Sequence, residues 1–205
     1  MFKCHIFDIG EIMEKPRKNL FMIPISLAMF VFINCSTSRI SKPGWASTER
    51  FDREYQMHIS GALDEVFPLL CPVREYEWLN GWKCTMLFSK TGFAEKGAMF
   101  YTSSGFPFYK KLNFYITEYD PNRRICFLIV INSVGTILFS IDLIPNKADS
   151  TTLIWHYVVT SHSKIGERLL KTELTPEKFT KDLENKEQDL EYFIKHHSMR
   201  NKNRK

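Results

Sequence analysis

The sequence predicts an α+β domain: one strand, two short helices, a meander of six further antiparallel strands, and a long helix that closes the chain. Three observations carry this. After Trp82 the apolar segments are short and turn signals fall between them, which leaves no room for crossover helices and favours hairpin connections. Thr175-Pro176-Glu177 combines a cap residue, a proline at the first helical position and a carboxylate in the first turn. Between the first strand and the meander, Asp64 to Cys84 holds two short helical turns and the start of a strand.

In chain order, Phe51, Arg53, Tyr55, Met57 and Ile59 alternate with Asp52, Glu54, Gln56 and His58, so residues 50–59 read as a half-buried strand. Ser60 or Gly61 stands where a cap belongs, ahead of Asp64 and Glu65 in the first turn of a helix. Val66, Phe67, Leu69 and Leu70 give that helix its apolar face, and Pro72 ends it. A second short helix or turn runs from Val73 to Trp78. Asn80-Gly81 is a turn dipeptide, and beyond it Trp82, Cys84, Met86 and Phe88 fall on one face of a strand. The remaining strands are residues 97–103, 111–119, 124–131, 136–144 and 151–161. They are separated by Thr91-Gly92, Ser103-Ser104-Gly105, Asp120-Pro121-Asn122, Asn132-Ser133 with Gly135, and Pro145-Asn146-Lys147. Phe179, Leu183, Leu190, Phe193 and Ile194 recur on one face of the last helix, which reaches about His197.

The chain has 205 residues, 44% of them hydrophobic, enough for one core: a domain over 49–197 with a linker before it. The formal net charge of +5 is a property of the tail. Residues 36–194 carry 19 Lys and Arg against 20 Asp and Glu, a net of −1, while five basic residues fall within 195–205. Residues 198–205 therefore read as a solvated basic tail, and with no basic stripe interleaved with aromatics the chain is not expected to bind nucleic acid.

Lys15, Arg17 and Lys18 precede an apolar run of 14 residues, Leu20 to Ile33, followed by Asn34-Cys35-Ser36. That is the layout of an export signal; the run is short of the ~20 residues that span a bilayer as a helix. Asp8 and Glu11 fit a positive leader poorly, and Met13 offers a cleaner start. Cys35 directly after the apolar run resembles the lipidation cysteine of a bacterial lipoprotein, with Phe32 where Leu is usual and Asn34 where a small residue is usual. The expectation is a signal and lipid anchor over 1–35 with Cys35 as its lipidation site, a linker over 36–48, and a place in the bacterial cell envelope. Secretion into the periplasm, or an uncleaved anchor, remains the alternative.

The order of elements and several residue groups resemble the START-like superfamily known as SRPBCC, over roughly Arg53 to Ile194. The groups are Glu65-Val66-Phe67 with Leu69-Leu70, then Cys71-Pro72-Val73-Arg74-Glu75-Tyr76-Glu77-Trp78 and Gly81-Trp82. To these add Glu95-Lys96-Gly97-Ala98 with Phe100, Tyr119-Asp120-Pro121 with Arg124-Ile125, and the strand from Thr152 to Trp155. The resemblance implies a helix-grip fold, in which a curved antiparallel sheet of about seven strands wraps the last helix and leaves an apolar cavity between them. Members of the superfamily bind lipids, sterols or polyketides, act as cyclases or hydrolases, or assist other proteins.

On that fold, strand parity turns Tyr55 and Met57, Trp82 to Phe88 on alternate positions, Ala98 and Phe100, and Phe114 and Ile116 toward the cavity. Ile137, Phe139 and Ile141 follow, then Leu153, Trp155, Tyr157 and Val159, faced by Phe179, Leu183 and Leu190. The expected ligand contacts are Trp82, Met86, Phe100, Phe114 and Ile116 on one side, and Phe139, Trp155, Tyr157, Phe179 and Leu183 on the other. With 17 Phe, 8 Tyr and 4 Trp in the chain, such a lining suits an acyl or ring-containing ligand bound mainly through area removed from water. Trp78 and Trp82 could rim the mouth or brace the core.

Catalytic signals are thin. Glu118 follows Phe114 and Ile116 in inward parity and is the one candidate general base, although its place at a strand end also suits a salt-bridged glutamate. His156 has outward parity, His162 lies beyond its strand, and His196-His197 sits in a basic stretch. Neither a CxxC nor an HExxH pattern is present, so neither a metal nor a cofactor is expected. Cys71, Cys84 and Cys126 read as buried small apolar residues, or as one disulfide and a free thiol. The expectation is an envelope-anchored binding protein for a small apolar ligand; the alternatives are a cyclase or hydrolase and an envelope assembly protein. A carboxylate deep in the cavity beside a polar partner would favour the enzyme, and a collapsed cavity with an apolar outer patch would favour the assembly protein.

Overall fold

The computed structural model describes residues 49–103, 110–147 and 149–201. The signal and anchor over 1–35, with Met13 and Cys35, the linker over 36–48, and the last four tail residues lie outside the described residues. No helix among the described residues is long and apolar enough to cross a membrane.

Seven strands form one antiparallel sheet: β1 (Arg50–Ile59), β2 (Cys84–Phe88), β3 (Met99–Ser103), β4 (Lys111–Asp120), β5 (Arg124–Ile131), β6 (Gly135–Pro145) and β7 (Thr151–Ser161). Their order is β1-β7-β6-β5-β4-β3-β2, so six strands pair as a meander and the last returns beside the first. The turns obey the chemistry of their residues. Gly81 has φ 80° and Asn122 has φ 60°, the left-handed region that glycine enters freely and asparagine tolerates. Alternation then turns Ile125, Phe127, Ile129 and Ile131 of β5 and Ile137, Phe139, Ile141 and Leu143 of β6 into the core.

Two β-bulges break that alternation, and each corrects an expectation. On β2 the register passes from Met86 opposite Phe100 to Phe88 opposite Met99, so Phe88 turns outward and is 52% exposed. On β4 it passes from Ile116 opposite Phe127 to Glu118 opposite Cys126, with Thr117 as the extra residue. Parity reverses there: Tyr119 packs inward against Phe67, and Glu118 leaves the concave side.

After β1 come α1 (Leu63–Val66) and a 3-10 turn over Phe67–Leu70. The cap is Ala62, through its backbone carbonyl alone, and not Ser60 or Gly61. Ser60 is committed elsewhere, its backbone N–H and its hydroxyl both donating to the Glu191 carboxylate at 2.8 and 2.7 Å. Cys71, in front of Pro72, is extended as that neighbour demands. The second short helix is a single 3-10 turn, Glu75–Glu77.

The chain closes with α2 (Lys164–Glu173) and α3 (Pro176–His196). In α3 the Thr175 hydroxyl accepts the Lys178 N–H at 3.2 Å and Pro176 holds the first position, as its sequence signature requires. Phe179, Leu183, Leu190 and Ile194 are buried against the sheet. Two carboxylates staple α3 to β1. Glu187 accepts from the Tyr55 hydroxyl and the His58 N–H, both at 2.7 Å, and Glu191 accepts from Ser60. Helix α2 is not among the expected elements. It is capped by Ser163, whose hydroxyl accepts the Gly166 N–H at 3.1 Å, and it buries Gly166 and Leu170 while Ile165 stays 76% exposed. Gly166 lets the helix rest directly on the β5–β6 turn, because a side chain there would collide with the Val134 carbonyl.

The basic tail also needs correction at Arg200. Its Nε donates to Asp189 Oδ1 at 2.7 Å, and its Nη1 to Gln188 at 2.6 Å, so the chain folds back onto α3 after His197. Asp189 is only 1% exposed.

Candidate functional site

The concave face of the sheet carries a continuous row of rings. Phe100 and Phe114 stack at 4.8 Å, and both meet Phe127 edge-on at 6.1 and 6.3 Å. Phe127 stacks on Phe139 at 5.1 Å, and Phe139 touches Trp155 at 5.1 Å and Tyr157 at 4.6 Å. Tyr157 meets Phe179 of α3 at 5.1 Å, so the row crosses from β3 to the gripping helix. It exists because five neighbouring strands each turn an aromatic to the concave face, directly opposite one another at Phe100–Phe114, Phe127–Phe139 and Phe139–Tyr157 and diagonal at Phe114–Phe127, and such pairs add to the stabilisation that burial alone provides.

The ten expected ligand contacts divide into two groups. Phe100, Ile116, Leu183, Trp155, Phe179 and Phe139 are between 0 and 7% exposed and form the wall. Trp82, Met86, Phe114 and Tyr157 keep accessible surface while packing against that core. Trp82 is a brace: its indole N–H donates to the Pro72 carbonyl at 2.8 Å, as that of Trp78 does to Leu69 at 2.8 Å.

At the α3 end of the row, Tyr157 is joined by polar groups that parity had not selected. Lys186 lies on the apolar face of α3, with its ammonium 5.9 Å from the centre of the Trp155 ring and paired with Asp182, which is exposed at the rim. Glu75, on the 3-10 turn, and Tyr157 face it. Glu75, Tyr157 and Lys186 are each half-buried, with 21% of the Lys186 side chain accessible.

That environment sets their charge. Burial pushes the Glu75 carboxyl up to about 8, with Lys186 drawing it back only in part, so at neutral pH it is mostly protonated. Burial also raises the Tyr157 phenol. For Lys186 burial favours the neutral amine, but Tyr157, Asp182 and Glu75 outweigh it and the ammonium is held above its ordinary range. Trp155 Nε1 is a buried donor with no hydrogen-bond partner.

Glu118, the sequence candidate for a base, sits on the other side of the sheet. Arg124 binds it at 3.3 Å and Asp142 at 2.6 Å, in a shallow depression of about 230 Å³ that also holds Cys126, Ser140 and His156. Cys126, expected to be buried, is half-exposed there, and its sulfur contacts Arg124 at 3.1 Å. Cys71, Cys84 and Cys126 are all free thiols, which removes the disulfide alternative. Among the described residues no group of three or more His, Cys, Asp or Glu could hold a metal ion.

Lys186 could have been found in the sequence, since it interrupts the apolar stripe Phe179, Leu183, Leu190 at a stripe position. Glu75 carries no such mark; only the fold, which brings the 3-10 segment beside Tyr157 and Lys186, selects it.

No family model matches the chain, and no curated protein matches it either. Solved structures do. The chain is similar to a truncated norcoclaurine synthase from Thalictrum flavum, at 12% identity and a TM-score of 0.59, over 76% of this chain and 99% of that one. The same plant enzyme in complex with dopamine and hydroxybenzaldehyde matches at 12% identity and a TM-score of 0.55, over 73% and 90%. DynU16, a protein of the dynemicin biosynthetic locus, matches at 15% identity and a TM-score of 0.51, over 73% of this chain and 51% of that one. At these identities the likeness concerns architecture, and the architecture of this chain is the helix-grip fold.

Proposed function

We propose that the protein is an envelope-anchored binding protein for a small apolar ligand, lipid-like or aromatic, held between the concave face of the sheet and α3. The observation that carries this reading is the aromatic row from Phe114 to Phe179, which ends in half-buried polar groups. Capture proceeds by desolvation against the rings, with the Tyr157 hydroxyl fixing one end. A solved helix-grip protein that carries dopamine and hydroxybenzaldehyde supports a ring-containing ligand by analogy of fold. Titration of the protein with fluorescent fatty acids and aromatic polyketide analogues tests the reading: Phe114→Ala should change which ligand length fits, and absence of saturable binding across the panel refutes it.

The anchor rests on the apolar run before Cys35. Cys35→Ser should leave the protein unacylated and move it from the detergent-soluble membrane fraction to the soluble one. A wild-type protein already soluble, with an intact Asn34-Cys35 bond, refutes the anchor.

One observation favours an enzyme of the cyclase or hydrolase sort as the second reading. Glu75 is a half-buried carboxyl poised near neutrality beside Lys186 and Tyr157, a placement suited to proton transfer. Turnover of any bound panel member that Glu75→Gln abolishes would establish it. The assembly reading gains an outer apolar row, Tyr115, Leu128, Leu138 and Val158 in cross-strand register, with Tyr115 and Leu138 42 and 47% exposed. It called for a collapsed cavity as well, a condition that the ligand titration tests.

A further inference from the structure

Resting on the binding reading above, we propose that the ligand presents an uncharged oxygen acceptor, the carbonyl of a ketone, ester or amide, to the Tyr157 hydroxyl and the Glu75 carboxyl group, with Trp155 Nε1 as a further donor. Trp155 is 3% exposed and its indole N–H has no partner, a costly state for a buried donor and one that an acceptor oxygen relieves. Trp155 and Tyr157 are alternate residues of β7 and turn to the same concave side. Among the described residues neither the Tyr157 hydroxyl nor the Glu75 side chain makes a hydrogen bond, so three groups able to donate stand at the α3 end of the aromatic row, beside the Lys186 ammonium.

Charge decides the kind of acceptor. The groups facing Glu75 are Lys186 of α3, Tyr157 of β7, Cys71 and Cys84; Asp182 stands behind Lys186, and Arg74 and Glu77 neutralise each other at 2.7 Å on the far side of the turn. Only Lys186 is cationic, and Asp182 already compensates it. Surroundings that keep the Glu75 carboxyl protonated at neutral pH disfavour a ligand carboxylate for the same reason, the lost hydration of an anion. A pure hydrocarbon leaves all three donors unpaired. A neutral carbonyl, with two lone pairs, pairs two of them without adding charge.

The test uses the protein as isolated and two matched trios of probes: methyl ketone, hydrocarbon and carboxylic acid, on a naphthalene ring and on a dodecyl chain. At about pH 6.5 the ketone of the better-fitting trio should bind about tenfold more tightly than its hydrocarbon, and more tightly than its acid. Tyr157→Phe should remove most of that preference, and Trp155→Phe a smaller part. The wild-type preference should fall above about pH 8 as Glu75 ionises, whereas Glu75→Gln, which keeps a donor, should retain it at both pH values. Equal binding of ketone and hydrocarbon, or tightest binding of the acid, overturns this proposal and leaves the cavity reading intact. No binding of either trio to natively folded protein refutes the cavity reading and this proposal with it.

Discussion

Glu75 and Glu118 are both glutamates beside a cation, one facing the concave side of the sheet and the other the convex side. Burial disfavours the charged form of Glu75, and its carboxyl rises to about 8 despite Lys186. Glu118 is 54% exposed and meets Arg124 at 3.3 Å, where water screens both charges. Arg124 is shared with Asp142 and is held charged more firmly than usual, chiefly through its contacts with Cys126 and Asp142. The pairs look alike as chemistry and differ as physics: on the concave face burial sets the protonation of the carboxyl, while on the convex face solvent screens the ion pair. A search for function by residue type selects Glu118, and a search by environment selects Glu75.

The contrast can be broken or sharpened by substitution, and the largest effect belongs to the grip itself. Leu190 of α3 has no exposed surface, and Leu190→Asp would place an unpaired charge there at a cost of several kcal/mol, on the order of the whole stability of a domain. Loss of the cooperative melt by circular dichroism is expected; an unaltered melting point would show that α3 does not close the core.

Next comes Arg200. Truncation after His197, or Arg200→Ala, withdraws the guanidinium from Asp189, which is 1% exposed. About 2–3 kcal/mol of destabilisation is expected, less than for a fully buried pair because the Arg200 side chain is 27% exposed. A denaturant melt reads this directly, and a midpoint equal to wild type would return residue 200 to a solvated tail.

Glu75 sharpens the comparison through pH. Its folded value of about 8 lies above that of an unfolded glutamate, so between about pH 4.5 and 8 the folded state binds more protons than the unfolded state. Stability therefore falls as pH rises through that window, and the full penalty is present above it. Glu75→Gln removes the penalty: it should melt like wild type near pH 4 and be more stable by up to a few kcal/mol near pH 9. Parallel curves at both pH values would place Glu75 in solvent.

The smallest effect is expected at Glu118. Glu118→Gln should cost no more than about 1 kcal/mol, fade with added salt, and leave ligand titrations unchanged. A change in ligand affinity would connect the two faces.

The amino-acid sequence by itself determined the elements whose signals are local. Alternation gave β1, β5 and β7 to the residue, Thr175-Pro176 gave the start of α3, and glycine or asparagine marked the turns, because each depends on neighbours within a few positions. Helix α2 escaped because part of its buried face is Gly166, whose fit against Val134 is invisible to a pattern of apolar side chains. Tertiary structure alone decided the rest. The bulge at Thr117 moved Glu118 to the convex face, since one unpaired residue reverses every later side chain. The folding of the 3-10 turn over the sheet placed Glu75 beside Lys186 and Tyr157, residues about 80 to 110 positions away in the chain. A shifted protonation state depends on which groups exclude water around it, and those groups come from four elements that only the complete fold brings together.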